Sequence, residues 1–275
     1  MFDALGLLVD FFHAKGKGLN MEDILSAQFQ ELRDLLTFHK MDTMSLIETF
    51  YMQMAEIQKQ QESTEFGILN FRAVYRYDSH TLYVEVLSAK DLIPLDANGL
   101  SDPFVLVQLC PDHVFPNITV QSTQVIKKTL HPLFEESFEF AISPGECQHK
   151  GATLLFTIMD HDLVFQNDFA GEVYLAMEDV PGVSGEEVTG YDALSIISLP
   201  LIQPKHKGML LPLIQPKHKG MLLPLTQPKH KGMLLPLIQP KHKAYGALQI
   251  LARRTWDKEA QEFVKKRSKV EEQAA

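Results

Sequence analysis

Five aspartates fall in two short stretches of the sequence. Asp96 and Asp102 lie in LDANGLSDPF, and Asp160, Asp162 and Asp168 lie in MDHDLVFQNDFAGE. Neither stretch contains a lysine or an arginine. Brought to one end of a fold, five carboxylates without a countercharge repel one another unless a hard cation sits among them. Calcium suits such a set, because it takes about six to eight oxygens from carboxylates and loop carbonyls. A single aspartate in a loop is ordinarily a solvated turn residue; five in two framed loops point to metal. Between two of them, Leu163, Val164 and Phe165 form an apolar triplet at what should be a loop tip. Such a triplet can enter a lipid headgroup layer, each side chain contributing about 1.5–3 kcal/mol if fully buried. The bland alternative is that Phe165 folds back onto its own domain.

The elements that must position these loops read as short strands. Leu82, Val84 and Val86 alternate with Thr81, Tyr83 and Glu85, and Phe138, Phe140 and Ile142 alternate with Ser137, Glu139 and Ala141. Period-two alternation of this kind marks half-buried strands. Further strands are expected at Leu69–Tyr77, Phe104–Leu109, Val120–Ile126, Leu154–Met159, Gly171–Ala176 and Ala247–Ala252. Many short strands separated by Gly, Pro, Asp and Asn indicate a mainly β, antiparallel sandwich.

The first 65 residues have a different period. Leu25, Phe29, Leu32 and Leu36 recur at helical spacing, as do Met44, Ile47, Tyr51 and Met54. Asn20 and Asp42 stand where helix N-caps are expected. Two amphipathic helices have little partner surface of their own, so this segment reads as the end of a helical bundle. A last helix is expected over the charged segment from Asp257 to Glu272, with Asp257 as N-cap.

The net charge of −9 is unevenly spread. From Ala193 to Trp256 there is no acidic residue against eight lysines and two arginines, leaving −19 on the remainder. A basic strip suits an acidic partner such as an anionic membrane. Within it the unit LPLIQPKHKGML occupies Leu199–Leu210 and recurs at Leu211–Leu222. LPLTQPKHKGML follows at Leu223–Leu234, and a partial copy runs from Leu235 to Lys243. Recurrent prolines disfavour helix and central strand, so the surplus copies read as an extended insertion. The repeat lysines could add adhesion to an anionic surface, or the copies could be a passive loop. Lysines on both sides of His206, His218, His230 and His242 disfavour a metal site there. Lys127 and Lys128 form a smaller basic pair on or beside a strand.

Cys110 and Cys147 are too few for a disulfide framework, which suggests a reducing cytosol. The start, MFDALGLLVDFFH, lacks a basic leader and is interrupted by Asp3 and Asp10, so it reads as neither signal peptide nor membrane span. Membrane contact is therefore expected to be peripheral.

Three segments carry a resemblance to a known family. AKDLIPLDANGLSDPFV, TLHPLFEESFEF and FTIMDHD with the following NDFAGE resemble a C2 domain, the calcium and lipid module found in protein kinase C and synaptotagmin. The resemblance spans about residues 66–256 apart from the extra repeat copies, with helical segments at 1–65 and 257–275. It implies an eight-stranded antiparallel C2 β-sandwich. It also implies that Asp96, Asp102, Asp160, Asp162 and Asp168 ligate two or three calcium ions, helped by the carbonyls of Leu95 and His161. A serine ligand frequent in the family is replaced by Phe165. The strand bearing Lys127 and Lys128 often binds phosphoinositides in that family. LVDFFHAKGKGL, LTFHKMDTMSLIETFY and EAQEFVKKR further resemble the Munc-thirteen vesicle-priming family, on the branch of the brain-angiogenesis-inhibitor-associated protein and Munc-thirteen-four.

The resemblance implies calcium-dependent binding of anionic phospholipid in vesicle tethering, priming, regulated exocytosis or endosomal trafficking. It places the chain in the cytoplasm, peripheral on a vesicle, late endosome or plasma membrane. The alternative is a calcium-independent interaction module with a SNARE protein or a Rab GTPase as partner. No Gly-rich phosphate loop, no G-x-S-x-G and no nucleophile–His–Asp pattern is present, so catalysis is not expected. The basic strip lacks interleaved aromatics, which speaks against nucleic acid.

Overall fold

Alternation and continuity in the strand sequences separate two kinds of sheet. The computed structural model describes residues 36–96, 98–162, 167–185, 188, 195–203 and 245–273. Strands β1 (Ile68–Arg76), β2 (Thr81–Lys90) and β5 (Leu133–Ala141) alternate buried and accessible positions along much of their length. With β8 (Ile197–Pro200) they form one antiparallel sheet in the order β5-β2-β1-β8. Strands β6 (Thr153–Asp160) and β7 (Asp168–Ala176) are buried at almost every residue. With β3 (Pro103–Cys110) and β4 (Gln121–Ser122) they form the second sheet, ordered β4-β3-β6-β7. A near-continuous apolar run such as TLLFTIMD needs cover on both faces. The first sheet covers one face, and helices cover the other.

Between the sheets lie Leu69, Phe71, Ala73 and Tyr75 from β1, Leu82, Val84 and Val86 from β2, and Val105, Leu154, Phe156, Ile158 and Val173 from the second sheet. Phe71 and Phe156 meet across the middle with ring centroids 4.4 Å apart. Gly182 shows how tightly the rim is drawn in. Its φ is +88°, and a Cβ there would lie 2.0 Å from the Tyr75 carbonyl oxygen. Tyr75 in turn donates its backbone N–H to Pro181 at 2.9 Å. Gly182→Ala is expected to cost about 2–4 kcal/mol through this collision and the left-handed backbone, measurable as a lower urea midpoint at unchanged slope.

The helical layer uses the residues with helical period. Helix α1 (Thr43–Gln60) starts at Asp42, whose carboxylate accepts the Ser45 N–H at 2.8 Å, as an N-cap should. Its Leu46, Ile47, Phe50, Tyr51 and Met54 are buried against Cys110, Leu155 and Tyr174 of the second sheet. The missing partner surface is thus supplied by the sandwich and by two C-terminal helices, α2 (Tyr245–Arg253) and α3 (Lys258–Gln273). Asp257 caps α3, accepting N–H bonds from Glu259 at 3.1 Å and Ala260 at 3.2 Å. It also accepts the Thr43 hydroxyl, tying the start of α1 to the start of α3.

Two expected strands differ. Ala247–Ala252 is not a strand but the body of α2, with Ala247, Leu248, Ile250 and Leu251 buried. Those positions recur at three and four residues, and the sheet edge is already taken by Ile197–Pro200 beside β1. The segment Val120–Ile126 is reduced to Gln121–Ser122, because the Thr123 hydroxyl accepts the Val105 N–H at 2.9 Å in place of a ladder carbonyl. Asn20, Leu25, Phe29 and Leu32 lie outside the described residues, as do the repeat copies beyond Gln203.

Candidate metal site at the loop end of the sandwich

The strand register brings the two acidic loops to one end. Pro103 pairs with Asp160 and Asp160 with Asp168, so three chain segments converge where β3 starts, β6 ends and β7 starts. Asp102 stands one residue before β3, and its N–H donates to the Asp160 carboxylate. The Asp102 carboxylate accepts the Lys128 N–H at 2.7 Å, and its carbonyl accepts the His161 N–H at 3.0 Å. Asp162 is braced through its N–H to the Asn167 side chain at 3.2 Å.

The loop carrying Asp96 is pinned from inside by Ser101. This buried hydroxyl donates to the Ile93 carbonyl and accepts the Leu95 N–H, each at 3.1 Å. Leu95 and Asp96 both donate to the Leu100 carbonyl, at 3.2 Å and 3.0 Å, closing the turn. Sequence reasoning does not single out Ser101 or Asn167. Their only signal is position, a small polar residue directly before Asp102 and an amide directly before Asp168.

Electrostatics mark Asp160 as the centre of the cluster. Burial pushes its carboxyl above the usual range, the Asp102 N–H works the other way, and the charges of Asp96, Asp102 and Asp162 raise it further. Among the described residues, none of the five aspartates is in an ion pair with a lysine or arginine. Nor do any three His, Cys, Asp or Glu among them stand close enough together to hold an ion as placed. Mutual repulsion among carboxylates with no ion-paired lysine or arginine is a cost that a bound cation would relieve. The donor set is all oxygen and multiply anionic, which fits a hard divalent ion of calcium type.

The remaining expected residues divide. Lys127 and Lys128 are exposed and lie beside Asp102 through the Lys128 N–H. Leu163, Val164 and Phe165 lie outside the described residues. Cys110 and Cys147 are free and buried, with their thiols pushed up to about 12 and about 11, first of all by burial. Neither is poised as a nucleophile. No described helix is long and apolar enough to cross a membrane.

Two four-stranded antiparallel sheets with an acidic loop end define a C2 domain, and residues 80–192 match the C2 domain family. Over 186 residues the chain is 45% identical to BAI1-associated protein 3 of Mus musculus, covering 68% of this chain and 16% of that protein. Over 197 residues it is 40% identical to protein unc-13 homolog D of Homo sapiens, covering 72% of this chain and 18% of that protein. A crystal structure of a C2 domain of RIM2 is 24% identical with a TM-score of 0.39, covering 51% of this chain and all of that one. The chain thus spans about a sixth of the length of the curated relatives named. Its C2 domain matches that of the unc-13 (Munc-thirteen) family, on the branch of these two relatives.

Proposed function

We propose that this chain is a calcium-dependent C2 module, residues 66–256, that docks on anionic phospholipid membranes in vesicle tethering, priming, regulated exocytosis or endosomal trafficking. The observation that carries the reading is the Asp160 carboxyl, held above its usual range among Asp96, Asp102 and Asp162 with no described cation paired to the group. Asp96, Asp102, Asp160, Asp162 and Asp168 would hold calcium, with Leu95 and His161 contributing carbonyls. Bound calcium supplies positive charge and open coordination positions for lipid phosphate. Asp160 and Asp102 hold the loop ends together through their hydrogen bond. Exposed Lys127 and Lys128 add attraction to the same anionic surface, about 1 kcal/mol each. Leu163, Val164 and Phe165 follow Asp162 directly in sequence and would enter the headgroup layer. The relatives' vesicle-related family supports this setting, in the cytoplasm and peripheral on a vesicle, late endosome or plasma membrane, with SNARE proteins or a Rab GTPase as further partners. No catalysis is assigned to the chain.

The competing calcium-independent reading uses the helices Met21–Leu36 and Met44–Gln61 and the repeat as the binding surface, of which only the second helix lies wholly among the described residues. It is weakened by α1, whose apolar stripe is buried on the sandwich. Co-sedimentation with phosphatidylserine vesicles decides between them. Binding is expected in calcium, to be lost in chelator, and to fall at least about tenfold in Asp160→Asn/Asp162→Asn, a loss of about 1.4 kcal/mol or more. Equal sedimentation of wild type in calcium and in chelator would sink the calcium reading.

A further inference from the structure

Membrane docking leaves the repeat unused, and the structure shows where its first copy goes. The pentapeptide LPLIQ, Leu199–Gln203, closes the sandwich between β1 and β7. Leu199 and Pro200 pair with Leu69 and Ile68 at the edge of the first sheet. Leu201 is fully buried and donates its N–H to the Gly67 carbonyl at 2.9 Å. Its side chain lies over Gly171, where a Cβ would approach to 2.9 Å. Ile202 then crosses to the second sheet, exchanging both backbone hydrogen bonds with Glu172 at 2.8 Å. The Gln203 side chain donates to the Ala170 carbonyl at 2.9 Å. The cleft therefore reads five consecutive residues by backbone pairing, two apolar pockets and one amide contact.

The same five residues recur at Leu211–Gln215 and Leu235–Gln239, and with Thr226 in place of the isoleucine at Leu223–Gln227. Identical residues make identical contacts, so nothing inside the cleft distinguishes the three LPLIQ copies. Only flanking residues and loop lengths differ. The first copy follows Ile197 and Ser198, and Ser198 donates to the Asn70 side chain at 2.7 Å; the others follow Met and Leu. Loop-closure entropy changes slowly with length, so moving residues from one loop to the other is a small perturbation. The Thr226 copy would set a hydroxyl where Ile202 is buried among Leu155, Tyr174 and the helices, so it is the poor fourth.

We infer that the cleft between β1 and β7 is an exchangeable strand-docking site, filled by Leu199–Gln203, Leu211–Gln215 or Leu235–Gln239 of the same chain. Exchange from first to last copy passes 36 residues from the loop after the docked strand to the loop before it. Residues 240–244 alone then join the docked strand to α2. Five extended residues reach about 17 Å, and Ile202 and Ala247 already share one buried cluster. This site lies outside the acidic loops and does not depend on the calcium reading.

Thermal melting of the monomeric fraction tests it with three variants. Leu201→Asp alone is expected to melt within about 3 °C of wild type, because another copy takes the seat. Leu201→Asp/Leu213→Asp/Leu225→Asp/Leu237→Asp is expected to lose about 10 °C or its cooperative transition, since no seat can then be filled without burying a charge. Leu213→Asp/Leu225→Asp/Leu237→Asp should melt like wild type. A Leu201→Asp loss as large as that of the fourfold variant overturns exchange, and a wild-type-like fourfold variant overturns the need for an occupant. A direct readout is oxidation of Ile68→Cys paired with Pro212→Cys or Pro236→Cys. Intramolecular disulfide is expected in both, and its absence from both overturns the inference.

Discussion

Arg267→Met should lower stability by about 3–5 kcal/mol, the loss expected when one partner of a buried ion pair is removed and the other stays charged. The Arg267 and Glu172 side chains are 6% and 1% exposed. Arg267 donates to Glu172 Oε1 at 2.9 Å and Oε2 at 2.7 Å, and to the Tyr174 hydroxyl at 3.0 Å. The Tyr174 hydroxyl donates to Glu172 in turn, and the guanidinium stands 5.3 Å from the centre of the Phe50 ring. Burial works against the Arg267 charge, but the Glu172 carboxylate and Tyr174 outweigh it and hold its pKa well above the ordinary arginine value. The pair fastens α3 to the middle of β7 and, through Phe50, to α1. Removal of arginine alone leaves the Glu172 carboxylate in an apolar layer. Glu172→Gln/Arg267→Met should therefore recover most of the loss, because no uncompensated charge remains. Chemical denaturation of both variants checks this. A double variant no better than the single would mean that the packing of the long side chain, not its charge, does the fastening. Because the pair is out of solvent, raising the salt should change the difference little.

Asp160→Asn should stabilise the calcium-free protein and, on the calcium reading proposed above, remove most of the stabilisation expected from calcium. The folded-state carboxyl is raised, so its ionisation is a cost that is absent below the unfolded pKa and develops as pH rises through the folded one. At pH 7 without calcium the wild type bears that cost and the asparagine variant does not. Acidification toward pH 4 should therefore shrink the variant's advantage. Saturating calcium should reverse the order, since a ligand at about 100 times its Kd adds about 2.7 kcal/mol to the form that binds it. Melting curves of both proteins with calcium and with chelator, at two pH values, give all four comparisons. An asparagine variant less stable than wild type in chelator would show that the Asp102 N–H bond outweighs the crowding of charge.

How much of this is legible in the sequence depends on whether the signal is local. The five aspartates are visible because one residue type recurs within two short loops, and the strand register brings those loops to one end. The alternating strands and the caps Asp42 and Asp257 are legible for the same reason, each being a pattern of a few neighbouring residues. Ala247–Ala252 misleads because six apolar-rich residues fit either period, and only the prior filling of the sheet edge decides. Arg267 is invisible among Lys265, Lys266 and Lys269: nothing local says which cation of a charged helix faces inward. That depends on Glu172, 95 residues away. The near-continuous burial of β6 and β7 does carry a hint, since a sandwich strand apolar on both faces demands an outer layer.

One side chain in that layer has a mechanical meaning. Gln58, near the end of α1, donates to the Pro200 carbonyl at 2.8 Å and accepts the Tyr174 N–H at 3.1 Å. Pro200 belongs to one sheet and Tyr174 to the other. Tension entering the domain along α1 therefore meets both sheets at one side chain, in addition to the apolar packing of α1 on the second sheet, before it reaches the chain that leads into β1. A pull on α1 is expected to load the two sheets together and not β1 alone.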